Sequence, residues 1–126
     1  MARILLIEDE DLVRVSLRQV LEKEGHEVFE AADGEEGVAE FRTMARHFKA
    51  SDVVIADILM PAKDGYDTIT EIREIMPKAK IIAISGGGNV NPKVFLDISS
   101  VLGADRVLSK PFSTEEFLDA VNHCLA

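Results

Sequence analysis

Five polar residues stand at the ends of short apolar runs: Glu8 and Asp9 after ILLI, Asp57 closing VVIAD, Ser85 after IIAI, and Lys110 just beyond VLS. Three carboxylates gathered in one place repel each other, so either their pKa values rise or a cation neutralises them. Oxygen donors select a hard ion, and no thiolate or imidazole lies near the cluster in sequence. The expected metal is therefore Mg2+ or Mn2+ rather than zinc. Such an ion needs only one or two protein carboxylates and leaves positions open for phosphate oxygens. Asp57 then reads as a nucleophile for phosphorus, with Lys110 and the Ser85 hydroxyl holding the remaining oxygens and an aspartyl phosphate as product.

That chemistry requires elements that bring the five residues together. Strand-like runs occur at residues 4–7, 28–31, 53–56, 81–84 and 107–108. All but the second lack apolar-polar alternation, which predicts strands covered on both faces. HEVFEAA does alternate, as an edge strand with a partly wet face does. Helical spacing links Val13, Leu17, Val20 and Leu21 ahead of Gly25, then Val38, Phe41, Ala45 and Phe48, then Ile69, Ile72 and Met76 ahead of Pro77. A fourth helical stretch runs from Pro92 through Val94, Ile98, Val101 and Leu102 to a stop at Gly103. The last opens on a capping box, Ser113 with Glu116, flanked by Phe112 and Phe117 in the positions of a hydrophobic staple.

Strand and helix alternate at a spacing of about 25 residues, the signature of an α/β chain with a five-stranded parallel sheet. In open parallel sheets the ligand crevice lies outside the C-terminal strand ends, and all five polar residues fall there. The common doubly wound order for five strands, 2-1-3-4-5, makes the first and third strands neighbours. It sets Asp9 beside Asp57 and Ser85 next to them, and leaves Lys110 two strands away, within reach of a long flexible side chain. Met60 and Pro61 begin the turn out of the sheet, and Asp64 with Gly65 supplies the backbone freedom to enter the third helix.

A chain of 126 residues is expected to form one domain with a sizeable core. Acidic residues outnumber basic ones 23 to 14, and the net charge of -9 argues against direct nucleic-acid binding and against anionic membrane surfaces. MARILLIEDED lacks the pattern of a secretory signal, and no apolar stretch approaches the length of a membrane span. The single Cys124 permits no internal disulfide, reads as a core-edge residue and fits a reducing cytoplasm. The last helix runs to the C-terminus, so no tethered output domain is expected. Asp11 reads as a solvated helix start, and His26, His47 and His123 as structural or exposed residues without metal spacing.

The motifs ILLIEDED, VVIADILMPAKDG, IIAISGGG and VLSKPF, in this order and at these strand ends, resemble the receiver domain of two-component response regulators, of the single-domain chemotaxis type. The likeness covers essentially the whole chain. It implies one receiver domain over 1–126 with the flavodoxin-like (βα)5 fold, a doubly wound three-layer sandwich. It further implies a cytoplasmic protein that takes a phosphoryl group from a histidine kinase or histidine phosphotransfer protein on Asp57. In that family Mg2+ would be held by Asp9, Asp57 and the Leu59 backbone carbonyl, with Glu8 reaching it through water. Lys110 would contact the phosphate, and its bond to Pro111 would be cis. The domain would not be an enzyme in the usual sense, since it catalyses only its own phosphoryl transfer and dephosphorylation. Its output would be protein contacts made by the face of the fourth helix, fifth strand and fifth helix, including Val94, Phe95 and Val107.

Three positions depart from the common pattern. Glu8 replaces the usual Asp, and its extra methylene favours a water-mediated metal contact. Ser85 keeps the hydroxyl of the usual Thr without its methyl. Val107 stands where many members carry Tyr or Phe, so it cannot act as an aromatic reporter of the switch. SGGGNVN, with its three glycines, is then the expected moving part.

Rival functions of the same fold fare worse. A flavin or nucleotide site needs a Gly-, Ser- or Thr-rich first loop, and EDED repels phosphate. A haloacid-dehalogenase-type phosphatase needs a second Asp two residues after its nucleophile, where this chain has Leu59. A degenerate receiver that binds partners without phosphorylation is disfavoured because every chemical position is filled.

Overall fold

A computed structural model describes residues 2–47, 51–58, 65–85 and 103–126. Five strands, β1 (Arg3–Ile7), β2 (Glu27–Ala31), β3 (Val53–Asp57), β4 (Ile81–Ser85) and β5 (Arg106–Ser109), form one parallel sheet in the order β2-β1-β3-β4-β5. This is the expected doubly wound order. The described helices are α1 (Asp11–Lys23), α2 (Gly34–Arg46), α3 (Gly65–Ile75) and α4 (Thr114–Leu125). The helix expected from Pro92 to Leu102 lies outside the described residues. So do Phe48, the turn at Leu59 to Asp64 and the glycine-rich loop at 86–91.

Alternation within each strand sends side chains to opposite faces, and both faces are covered. Leu5, Ile7, Val54, Ala56, Ile81 and Ala83 pack with Val38, Phe41 and Met44 of α2 and Ile69 and Ile72 of α3. Ile4, Leu6, Val53, Ile55, Ile82 and Ile84 pack with Leu17 and Leu21 of α1 and Phe117, Ala120, Val121 and Cys124 of α4. The result is three layers, with apolar side chains on both sides of the central strands. β3 and β4 are buried along their whole length, whereas the edge strands β2 and β5 are partly wet.

Three helix ends have a local reason. α1 gives way to Gly25, whose φ of 88° is the left-handed conformation that glycine adopts without strain. In α2 the Asp33 side chain accepts from the Glu36 N–H. Its inward stripe includes Met44 rather than Ala45, which is only half-buried, because the helix turns Val38, Phe41 and Met44 onto the sheet. α4 carries the full capping box between Ser113 and Glu116, and Phe112 stacks on Phe117 with ring centroids 5.7 Å apart. Both features match the expectation. No helix among the described residues is long and apolar enough to cross a membrane.

Candidate functional site

The strands run slightly past their apolar runs, and this carries the polar residues into position. Glu8 N–H still donates to Ala31 O at 3.0 Å, so the sheet ladder holds the chain one residue beyond β1. Glu8 is thereby fully buried, and Asp9 behind it is half-buried. Asp57 is the last residue of β3, and the Ile58 N–H donates to Ile84 O at 2.9 Å, so the acid is held in the sheet with only 3% of its surface exposed. Ser85 ends β4 and accepts at its carbonyl from Lys110 N–H at 2.9 Å. Lys110 thus leaves β5 anchored to β4, and its bond to Pro111 is cis.

From there its extended side chain leans across β4, and the acid side chains lean in from β3 and from beyond β1 to meet it. Lys110 Nζ donates to Asp57 Oδ2 and to Glu8 Oε1, both at 2.9 Å. One oxygen from each of Glu8, Asp9 and Asp57 can be chosen so that all lie within 4.8 Å of one another. The structure therefore brings together the three acids and the lysine that the sequence nominated. Ser85 lies at the same rim, and its Oγ is buried without a hydrogen-bond partner among the described residues. Leu59, the expected backbone ligand, lies outside the described residues.

Electrostatics explain why the acids coexist. Burial pushes the Glu8 carboxyl up to about 7, and the neighbouring Asp57 carboxylate adds to that, while the Lys110 ammonium pulls the other way. Burial disfavours the Lys110 ammonium, but its hydrogen bonds to Glu8 and Asp57 and their charges outweigh burial and hold it above the ordinary lysine value. One internal cation thus offsets part of the repulsion that the sequence foresaw. Glu8 Oε2 remains buried without a hydrogen-bond partner among the described residues. An all-oxygen cluster with such an atom fits a hard divalent cation.

An open apolar pocket of about 550 Å³ adjoins the site beside Lys110, bounded by Leu12, Val13, Leu17 and Phe112 among others. None of the three acids lines it. The polar chemistry therefore sits at the strand ends and not in this apolar hollow. The remaining residues behave as the sequence suggested. Cys124 is buried, Asp11 is exposed and paired with Arg14 at 2.6 Å, and His26 Nδ1 accepts from the Ala2 N–H at 3.3 Å. Sequence reasoning passed over Arg14, whose Nη1 donates to the Glu8 carbonyl at 2.8 Å. Only its spacing from Asp11, one helical turn, was visible beforehand.

This sheet order with an acid trio and a lysine at its carboxyl rim defines a receiver: the response regulator receiver domain pattern matches residues 4–122, and the chain belongs to that family. The chain is 33% identical to the chemotaxis protein CheY of Thermotoga maritima over 121 residues, 95% of this chain and 94% of that protein. Among solved structures, Vibrio cholerae CheY4 superposes with a TM-score of 0.86 at 27% identity, covering 99% of each chain. The response regulator TrrA of Thermotoga maritima, solved in complex with Mg(2+)-BeF, gives 0.83 at 34% identity, covering 99% of this chain and 100% of that one. The chain is therefore a receiver with the doubly wound, flavodoxin-like α/β fold of CheY-like proteins, and it belongs to phosphorylation-switched two-component signalling.

Proposed function

We propose that residues 1–126 act as a single receiver whose Asp57 accepts a phosphoryl group from a histidine kinase or histidine phosphotransfer protein. One observation carries this reading: three carboxylates within 4.8 Å of each other, with Lys110 bridging two of them. An Asp57 oxygen attacks phosphorus, the bond to the donor nitrogen breaks, and the electron pair leaves with the imidazole. Asp9, Asp57 and the Leu59 carbonyl would hold Mg2+, with Glu8 reaching it through water. The ion would supply positive charge against the phosphoryl oxygens. Lys110 and Ser85 take up the remaining phosphoryl oxygens, and the unpartnered Ser85 Oγ supports that role. TrrA, a relative at 34% identity, was solved with Mg(2+)-BeF, which supports the choice of ion.

The domain is no enzyme toward an outside substrate, because it transfers the group to itself and later hydrolyses it. Output runs through protein contacts on the face that combines the helix expected after Pro92 with β5 and α4, where Val107 is half-buried. The net charge of -9 speaks for protein partners over nucleic acid, and a cytoplasmic setting fits the family. The test is intact mass after incubation with Mg2+ and a small phosphodonor. The parent should gain one phosphoryl group and Asp57→Asn none. Equal labelling of both, or continuous release of phosphate in large excess over protein, would overturn the reading.

A further inference from the structure

The acid turn is held by an arginine that contacts none of the metal-facing oxygens. Arg14 Nη1 donates to Glu8 O at 2.8 Å, and Nη2 donates to Asp11 Oδ1 at 2.6 Å. Its Nε lies 3.7 Å from Glu30 Oε1, and Glu30 is in turn held by Arg18 Nη1 at 2.8 Å. The Arg14 side chain is 17% exposed and its guanidinium is held by three partners, so this fork is fixed in place rather than waving in solvent.

The connection from β1 to α1 needs such a strut. Glu10 occupies the N-cap of α1 without a side-chain cap hydrogen bond, so the helix start does not fix the turn through a cap. The Glu8 N–H is tied to Ala31 O, while the Glu8 carbonyl, the first beyond β1, is tied to Arg14. Those two bonds hold the peptide groups before and after the Glu8 Cα. The Glu8 carbonyl belongs to the peptide plane that leads into Asp9, so its orientation places the Asp9 N–H and Cα, the base from which the Asp9 carboxylate reaches toward Glu8 and Asp57.

We propose that Arg14 is a positioning residue for the divalent-cation site, acting through the Glu8 carbonyl. The inference rests on the metal-binding part of the reading above. It makes a prediction opposite in sign to simple electrostatics. A positive charge near a cation site opposes cation binding, so removing it should tighten binding if charge were all that mattered. A strut that orients ligands behaves the other way, since its loss loosens them, and such losses typically weaken metal affinity 10- to 100-fold.

Calorimetric Mg2+ titration of the full chain decides between the two, with thermal unfolding run alongside to establish that each variant is folded. Arg14→Met keeps much of the stem and removes the fork, and it should weaken Mg2+ binding roughly 10-fold. Arg14→Lys keeps the charge but cannot reproduce the forked geometry, and it should fall between parent and Arg14→Met. Unchanged or tighter binding in folded Arg14→Met overturns the proposal. If that variant does not fold, Arg14→Lys decides alone: weaker binding supports the strut and parent-like binding overturns it. A parent that takes up no Mg2+ would overturn both this inference and the metal reading beneath it. A parent that binds, with variants no weaker, would overturn this inference alone.

Discussion

Lys110 Nζ lies 2.9 Å from Asp57 Oδ2, although the two residues are 53 positions apart and leave the sheet from strands that are not neighbours. The same ammonium is equally close to Glu8, so one side chain balances two buried carboxylates. Asp57 thus lies under a counter-charge that it shares with Glu8.

Replacing Lys110 by Met should therefore destabilise the metal-free protein by about 3 kcal/mol, the low end for breaking a buried pair. The low end applies because Lys110 keeps 23% side-chain exposure and water screens part of the interaction. Mg2+ should restore more stability to Lys110→Met than to the parent, because it replaces the missing cation. Denaturant curves in chelator and in excess Mg2+ check this, and an identical loss in both media would contradict it.

Ser85 Oγ is buried with no partner among the described residues, so its hydroxyl contributes little to holding the fold. Ser85→Ala should leave stability within about 1 kcal/mol of the parent, or raise it. Labelling of Asp57 by a small phosphodonor should slow on the order of 100-fold, as when one donor to a developing oxyanion is removed. A stability change without a rate change would assign the hydroxyl to structure instead.

Gly37 brings α2 against β1, and a Cβ placed there would stand 2.8 Å from Ile7 Cγ1 and closer still to Ile7 Cδ1. Gly37→Ala should cost about 1–3 kcal/mol by overpacking. Ile7→Val removes the Cδ1 atom and should recover part of that loss in the double variant, so the two changes are non-additive. Additive losses in denaturant unfolding would show that the clash relaxes elsewhere.

Cys124 is pushed up chiefly by burial and also by the Asp105 charge, against smaller opposing effects of Lys80 and Arg106. A free thiol ionises near 8.5 in the unfolded chain, before the folded one does. The unfolded state then binds fewer protons, so stability falls as pH rises above about 8.5, by at most about 1.4 kcal/mol per unit until the folded thiol also ionises. Below that window the contribution is fully present. Cys124→Ala should show a flatter alkaline limb than the parent between pH 8 and 10 by this linkage, and parallel limbs would refute it.

Much of this was legible in the chain because the signals are local. Continuous apolar runs such as VVIA and IIAI announced strands covered on both sides, and the structure covers them with α1 and α4 on one face and α2 and α3 on the other. Ser113 and Glu116 announced a helix start because a capping box is complete within four residues. The strand ends were less legible. Apolar character stops at Ala56 and Ile84, but the backbone ladder continues through Asp57 and Ser85, because main-chain hydrogen bonds do not depend on side-chain polarity. Met44 was missed in favour of Ala45, since spacing alone leaves the phase of a helical stripe free by one residue and packing against the sheet selects it.

By itself the sequence determined the α/β alternation, the acid pair, Asp57, Ser85 and Lys110 at the strand ends, and hence the class of chemistry. Periodicity, capping and the identity of residues beside apolar runs are written in neighbouring positions. Tertiary structure alone decided how charges are shared: Lys110 spans 102 positions to reach Glu8, whose burial lifts its carboxyl to about 7. It alone also gave Arg14 the Glu8 carbonyl as partner. A backbone oxygen is the same at every residue, so which side chain finds it depends on distances that no local pattern encodes.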